Sequence, residues 1–281
     1  MANTSARQAL RQQQAREAEQ AKKRRLLLIG GLVLLVIAAL IAGFWGMGEA
    51  KRKADQKVVA SNGVLANALV KIPASNFDTV GVGSANHAPT AIPNGKPALV
   101  DGKPRILYIG AEFCPYCAMD RLSLVSALSR FGTFKDLGDV LSSPNEGPVS
   151  NIPTVTFRKA TFSSDTVAFT GVETSDRMGQ PLDKPTAEDT AIFQQYAPGG
   201  GIPFIYYGSG FANSAPYDGA FLAGKKAEDI AAQLQDPNSE TSKAVLGGAN
   251  VMTAQICKET GGKPATVCTS AGVTAAAKTL K

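Results

Sequence analysis

Histidine and tryptophan are nearly absent from this chain, each occurring once in 281 residues. A single imidazole, His87, argues against histidine-rich metal centres. It sits in the polar stretch "GSANHAPTAIP" with no partner in view and reads as a solvated loop residue. No serine–histidine–aspartate set and no phosphate-binding glycine loop can be traced. Cysteine is scarce as well: Cys114, Cys117, Cys257 and Cys268 are all there is. A zinc site needs about four ligands. The second cysteine pair has ten residues between its members and does not repeat the close spacing of the first. The reading therefore carries no metal and no cofactor.

Net charge is missing from most of the chain. The formal total is +6, but residues 1–25 hold seven basic and two acidic side chains, and residues 26–47 hold none. That leaves 22 basic against 21 acidic residues in the remainder (29 less 7, 23 less 2). A nearly neutral bulk speaks against nucleic acid as a partner.

What is present begins with that uncharged run, residues 26–47, "LLLIGGLVLLVIAALIAGFWGM". At roughly 1.5 Å per residue it is long enough for a hydrocarbon core of about 30 Å. Phe44 and Trp45 fall where an interfacial aromatic belt belongs. A cleaved signal peptide is the alternative, but its apolar core normally runs only about 7–15 residues. The length favours a retained single-pass anchor. More basic residues precede the span than follow it, which places the N-terminus in the cytoplasm and residues 48–281 outside. The expected order is a basic cytoplasmic tail (1–25), a transmembrane helix (26–47), a stalk helix (48–72) and an extracytoplasmic domain (73–281). On that side of a membrane disulfides persist, and an even cysteine count fits two local pairs.

Residues 105–113, "RILYIGAEF", form an apolar run of buried-strand type. They lead into "CPYCAMDRLSLVSALSRFG", where Met119, Leu122, Val125 and Leu128 recur at helical spacing. Pro115 suits a first helical turn and Gly132 a helix stop. Residues 154–162 and 166–173 read as strands. "PTAEDTAIFQQYA" reads as a helix opened by a Thr186–Asp189 capping box. "GGGIPFIYYG" reads as a loop entering a strand, with Tyr206 and Tyr207 packing in the sheet, and two closing helices follow. The alternation is that of a layered α/β domain.

The chemistry lies at Cys114 and Cys117. Free amide groups and the dipole of a helix N-terminus stabilise an anion, lowering the pKa of a thiol there, and the thiolate is the nucleophile of disulfide exchange. Cys114 is thus expected to be the exposed attacker, with Cys117 one turn deeper as the resolving thiol. Pro115 stiffens the turn, and Tyr116 helps set the redox poise. An inert bridge between the two sulfurs is the bland alternative. Downstream, a cis bond at Ile202–Pro203 would explain a proline at the start of a strand. Its backbone could then face the dithiol; an ordinary loop proline is the alternative.

"AEFCPYC" followed by a helix, with "GIPF" later, resembles the thioredoxin superfamily. The resemblance implies that Cys114 attacks, Cys117 resolves and the Ile202–Pro203 loop docks substrate. "LYIGAEFCPYCAMDR", "KPTAEDTAIFQQY" and "ICKETGGKPATVC" further resemble a membrane-anchored, thioredoxin-like prokaryotic family of unknown function (domain of unknown function 929), over roughly residues 70–270. The implied fold is a central sheet flanked by helices, with an inserted hairpin and helix. Two departures stand out. Tyr108 occupies the place of a buried strand aspartate, and Phe113 replaces a tryptophan. Glu112 is nearby, with its direction open.

Cys257 and Cys268 bracket "KETGGKPATV" after a long helix. They read as a structural bridge contributing about 3 kcal/mol in the chain-entropy model, or else as a second pair relaying electrons to the first. The expected function is a cell-envelope thiol–disulfide oxidoreductase. Its partners would be protein thiols or disulfides and a further redox protein, with the direction open. The alternative is a non-catalytic binding module on the same scaffold.

Overall fold

A computed structural model describes residues 63–280 without interruption, and of the preceding part only helical residues between Lys22 and Met47. The chain forms two units, residues 1–56 and 57–281. In the first, the described residues are helical and exposed. Among the described residues no helix is long and apolar enough to cross a membrane. The span expected at residues 26–47 lies in part outside the described residues, as do residues 48–62 of the expected stalk.

The second unit runs through α1 (Val64–Leu69), α2 (Ala74–Val80), β1 (Thr90–Ala91), β2 (Leu99–Val100), β3 (Lys103–Gly110) and α3 (Pro115–Leu128). Next come β4 (Thr133–Lys135), β5 (Gly138–Leu141), β6 (Pro153–Thr156), β7 (Thr161–Ser163), β8 (Ala168–Glu173) and α4 (Ala187–Tyr196). It closes with β9 (Phe204–Tyr206), β10 (Gly210–Ala212), α5 (Ala227–Gln233), α6 (Glu240–Glu259), α7 (Ala265–Cys268) and α8 (Ala271–Ala277). This is a mixed α/β domain with a central mixed sheet flanked by helices.

β3 is the axis of the sheet. It pairs parallel with β8, from Arg105↔Ala168 to Gly110↔Glu173. On its other side it pairs antiparallel with β9, which pairs with β10, and β1 closes that edge. β2 folds back on the first residues of β3. Both faces of β3 are covered, which is why it reads as an unbroken apolar run. Ile106 and Tyr108 join the large core shared with α3 and α6, while Leu107 and Ile109 join a smaller core beside α4. The capping box at Thr186 and Asp189 is present. Asp189 also pairs with Arg105 at 2.7 Å, tying α4 to β3.

One local expectation changes. Residues 154–162 do not form one strand. Lys159 adopts a left-handed backbone, φ 68°, and the halves find different partners, β6 with β5 and β7 with β4. Within the segment expected as a stalk, Leu65 and Leu69 of α1 are buried in the core. α1 begins at Gly63, which has no side chain to cap it. Asp139 of β5 serves instead, accepting from the amides of Leu65 and Ala66 at 3.0 and 2.9 Å. Asp139→Ala should therefore lower stability by about 1–2 kcal/mol, the usual cost of a lost cap. The shift in the urea midpoint checks it, and an unchanged midpoint would mean that α1 holds without this contact.

Candidate functional site

β3 ends at Gly110, and a three-residue turn carries the chain into α3. Cys114 is the N-cap of that helix, with extended backbone, and Pro115 follows at the first helical position. The Cys117 amide donates to Cys114 Sγ at 3.2 Å. A sulfur thus stands where an N-cap oxygen normally accepts. The Cys114 thiol lies 3.8 Å from the carbonyl of Ile202, and the Ile202–Pro203 peptide bond is cis. The sequence-predicted residues Cys114, Cys117, Ile202 and Pro203 therefore meet in one place. Tyr116, between the cysteines, is exposed, and Pro115 is buried.

The exposed attacker expected at Cys114 needs correcting. Its residue exposure is 5 %, against 0 % for Cys117. The Ile202–Pro203 loop lies against its sulfur, and other loops dock on the preceding turn. The Ser143 amide donates to Phe113 O and the Glu112 amide to Ser175 O, each at 2.8 Å. Access to Cys114 is narrow, and Cys117 has none.

The two thiols are split in acidity. A hydrogen bond from the Cys117 thiol holds the Cys114 pKa below its ordinary value, against the effect of burial. The Cys117 and Tyr116 amides and the charge of Arg121 act in the same direction. Burial drives the Cys117 thiol well up, and its hydrogen bond to Cys114 pushes it further. Cys114 is the more acidic of the two sulfurs, and Cys117 holds its proton more tightly.

Beneath the pair lies a buried polar cluster that sequence reasoning missed. Arg121 is fully buried. Its Nη1 donates toward Tyr108 Oη and the Ala111 carbonyl at 3.1 Å, and toward Glu173 Oε2 at 3.1 Å and Oε1 at 3.3 Å. Burial lifts the Glu173 carboxyl to about 7, with Arg121 opposing. Asp120 is also fully buried, and neither of its oxygens has a hydrogen-bond partner among the described residues. Burial holds its carboxyl well above the usual range, with the Arg121 charge opposing. Tyr108 fills the place where the resemblance put an aspartate, and its hydroxyl accepts from Arg121. Glu112 turns to β6, accepting from Thr156 Oγ1 at 2.7 Å. The missed signal was the adjacent acid and base, "DR", inside an otherwise apolar helix, together with the lone glutamate that ends "TVAFTGVE".

Of the other candidates, Tyr207 faces Asp120 of this cluster. Cys257 and Cys268 form a disulfide, Cα–Cα 5.6 Å, joining the end of α6 to α7. His87 contacts Asn86, its Nδ1 2.6 Å from Oδ1. Tyr206 stacks on Tyr196 at 5.6 Å and Tyr207 is buried in the core, which is the sheet packing expected of them.

Residues 94–212 match a family model described as "Domain of unknown function (DUF929)". The matched segment runs from the loop before β2 to the end of β10. It holds Cys114, Cys117, Arg121, Glu173 and Ile202–Pro203, and leaves out α6 and the Cys257–Cys268 bridge. No curated protein and no solved structure matches the chain.

Proposed function

We propose that this domain, with its paired thiols of opposed acidity, is the working part of a membrane-anchored cell-envelope thiol–disulfide oxidoreductase. The carrying observation is Cys114 at the N-cap of α3, its pKa lowered, one turn before the proton-retaining Cys117. The order β3, α3, parallel β8, α4, antiparallel β9 and β10, then α6 supports a thioredoxin-like placement, as does the cis proline beside the sulfur. The uncharged run at residues 26–47 supplies the anchor, which leaves the dithiol on the oxidising side.

In the reducing direction, the Cys114 thiolate attacks one sulfur of a substrate disulfide. A new S–S bond forms as the substrate bond breaks, and the departing sulfur carries away the electron pair and takes a proton. Cys117 then gives up its proton and attacks Cys114 Sγ, releasing the second substrate thiol. Two electrons have passed from the dithiol to the substrate. The reverse sequence oxidises a substrate dithiol, and the partners' reduction potentials set the direction. Ile202–Pro203 presents backbone to the incoming chain, and Pro115 and Tyr116 shape the turn.

A Cys117→Ala variant of the full chain should accumulate mixed disulfides through Cys114, seen as reducible higher-mass species on non-reducing gels. The Cys114→Ser/Cys117→Ala double variant should show none. Equal amounts in both would remove Cys114 from the attacking role.

The low exposure of Cys114 favours a second reading, a binding module whose cysteines do no exchange. In that case the Cys117→Ala variant traps nothing.

A further inference from the structure

We infer that Arg121 and Glu173 are positioning residues for the dithiol: a buried cation and its paired carboxylate, reaching the Cys114 turn through the shared Ala111 carbonyl, act on the attacking sulfur with opposite sign. This role presupposes the oxidoreductase reading.

The geometry is tight. The Ala111 carbonyl accepts from the Cys114 amide at 3.3 Å and from Arg121 Nη1 at 3.1 Å, so the cation and the reactive residue share one acceptor. Arg121 lies four residues after Cys117 on α3, one turn on and on the same side. Glu173 stands opposite Gly110 in the β3–β8 register, at the strand end from which the dithiol turn departs. It meets Nη1 through both oxygens, and both side chains are fully buried.

Around the guanidinium are Glu173 from β8, Tyr108 from β3, Glu112 from the turn and Cys117 from α3 itself. Asp120 faces it from α3 too, and Tyr207 and Tyr217 face Asp120. Every one of these is neutral or negative, which makes Arg121 the cation of the cluster. Its Nε and Nη2 have no hydrogen-bond partner among the described residues. The charge is therefore anchored at one nitrogen and unspent at the other two. A cation near a thiol favours the thiolate, as Arg121 does at Cys114, and a nearby carboxylate opposes it.

Two substitutions should then act with opposite sign. Arg121→Gln removes the cation and raises the pH at which Cys114 becomes reactive. Glu173→Gln keeps an acceptor for Arg121, removes the opposing negative charge and lowers that pH. The measurement is the rate of iodoacetamide alkylation at Cys114 against pH, in the full chain, with the site assigned by mass spectrometry. Near pH 7, where Glu173 still carries part of its charge, the rate should fall about 3- to 10-fold in Arg121→Gln and rise by a smaller factor in Glu173→Gln.

A merely structural role would move both variants the same way, toward a free cysteine, and that result overturns the inference, as does no shift in either. If Arg121→Gln does not fold, Arg121→Lys with Glu173→Gln decides. The first should match the wild type and the second should still shift down; a lysine variant that behaves as a free thiol overturns the inference. A wild-type half-point no lower than that of an ordinary thiol sinks the oxidoreductase reading as well. A low wild-type half-point without opposite shifts sinks only the roles of Arg121 and Glu173.

Discussion

Cys114→Ser is expected to abolish thiol–disulfide exchange while leaving the domain as stable as before. Loss of activity follows from the chemistry: a serine hydroxyl does not ionise in the working pH range and cannot form the mixed disulfide. Cys117 cannot substitute for it, because it is fully buried and its thiol is held protonated. Stability is preserved for a structural reason. Position 114 is an N-cap, its side chain already accepts from the amide of Cys117, and serine is among the best residues for that task. Activity should drop to the uncatalysed rate while the unfolding midpoint moves by no more than about 1 kcal/mol. Insulin reduction or a fluorescent disulfide peptide reports the first, and urea unfolding the second. Residual turnover in the serine variant would place the reactive sulfur elsewhere, with Cys257–Cys268 the next pair to test.

Gly247→Val should have the largest effect on stability. α6 is the long helix of the core, and Gly247 sits in its middle against the turn that follows α2. A Cβ at position 247 would lie 2.2 Å from the carbonyl oxygen of Val82, which is backbone and cannot swing aside. Alanine there trades a gain in helix propensity against that clash. Valine adds two methyls and a branched side chain that fits helices less well. Overpacking of this kind costs about 3 kcal/mol, a large part of a typical domain's stability of about 5–15 kcal/mol. A midpoint within experimental error of the wild type would show that the α2 turn gives way freely.

Short-range features were legible in the sequence. The 105–113 run, the helix after Cys114 and the Thr186–Asp189 box each depend on neighbours a few residues apart, and each appears in place, although the strand ends at Gly110. The meeting of Cys114 with Ile202–Pro203 was legible from a proline at the start of a strand, and the resemblance strengthened it. What escaped depends on distance along the chain. The ion pair of Arg121 with Glu173 links residues 52 positions apart, and only the β3–β8 register brings them together. Asp139 capping α1 spans 74 positions, and nothing near Gly63 announces it. The break at Lys159 was missed although the apolar alternation slips there by one residue, from Val155 and Phe157 to Ala160 and Phe162. The burial of Cys114 was not legible, because the Ile202 carbonyl that lies against its sulfur is 88 positions away in the chain.

The parallel pairing of β3 with β8 has a consequence for how the chain reaches its native state. Arg105 and Ala168 are 63 positions apart (168 less 105), and the β5–β6 hairpin forms inside that excursion. The axial strand gains its first parallel neighbour only after a long loop has closed, and its antiparallel neighbour β9 lies further still along the chain. Topologies of this kind assemble slowly, on a scale of about milliseconds to seconds. Until then "ILYI" is a bare, sticky edge with two reduced sulfurs just beyond it. Nascent chains held at low temperature or high concentration should lose material at this stage, to clumping or to misplaced cross-links.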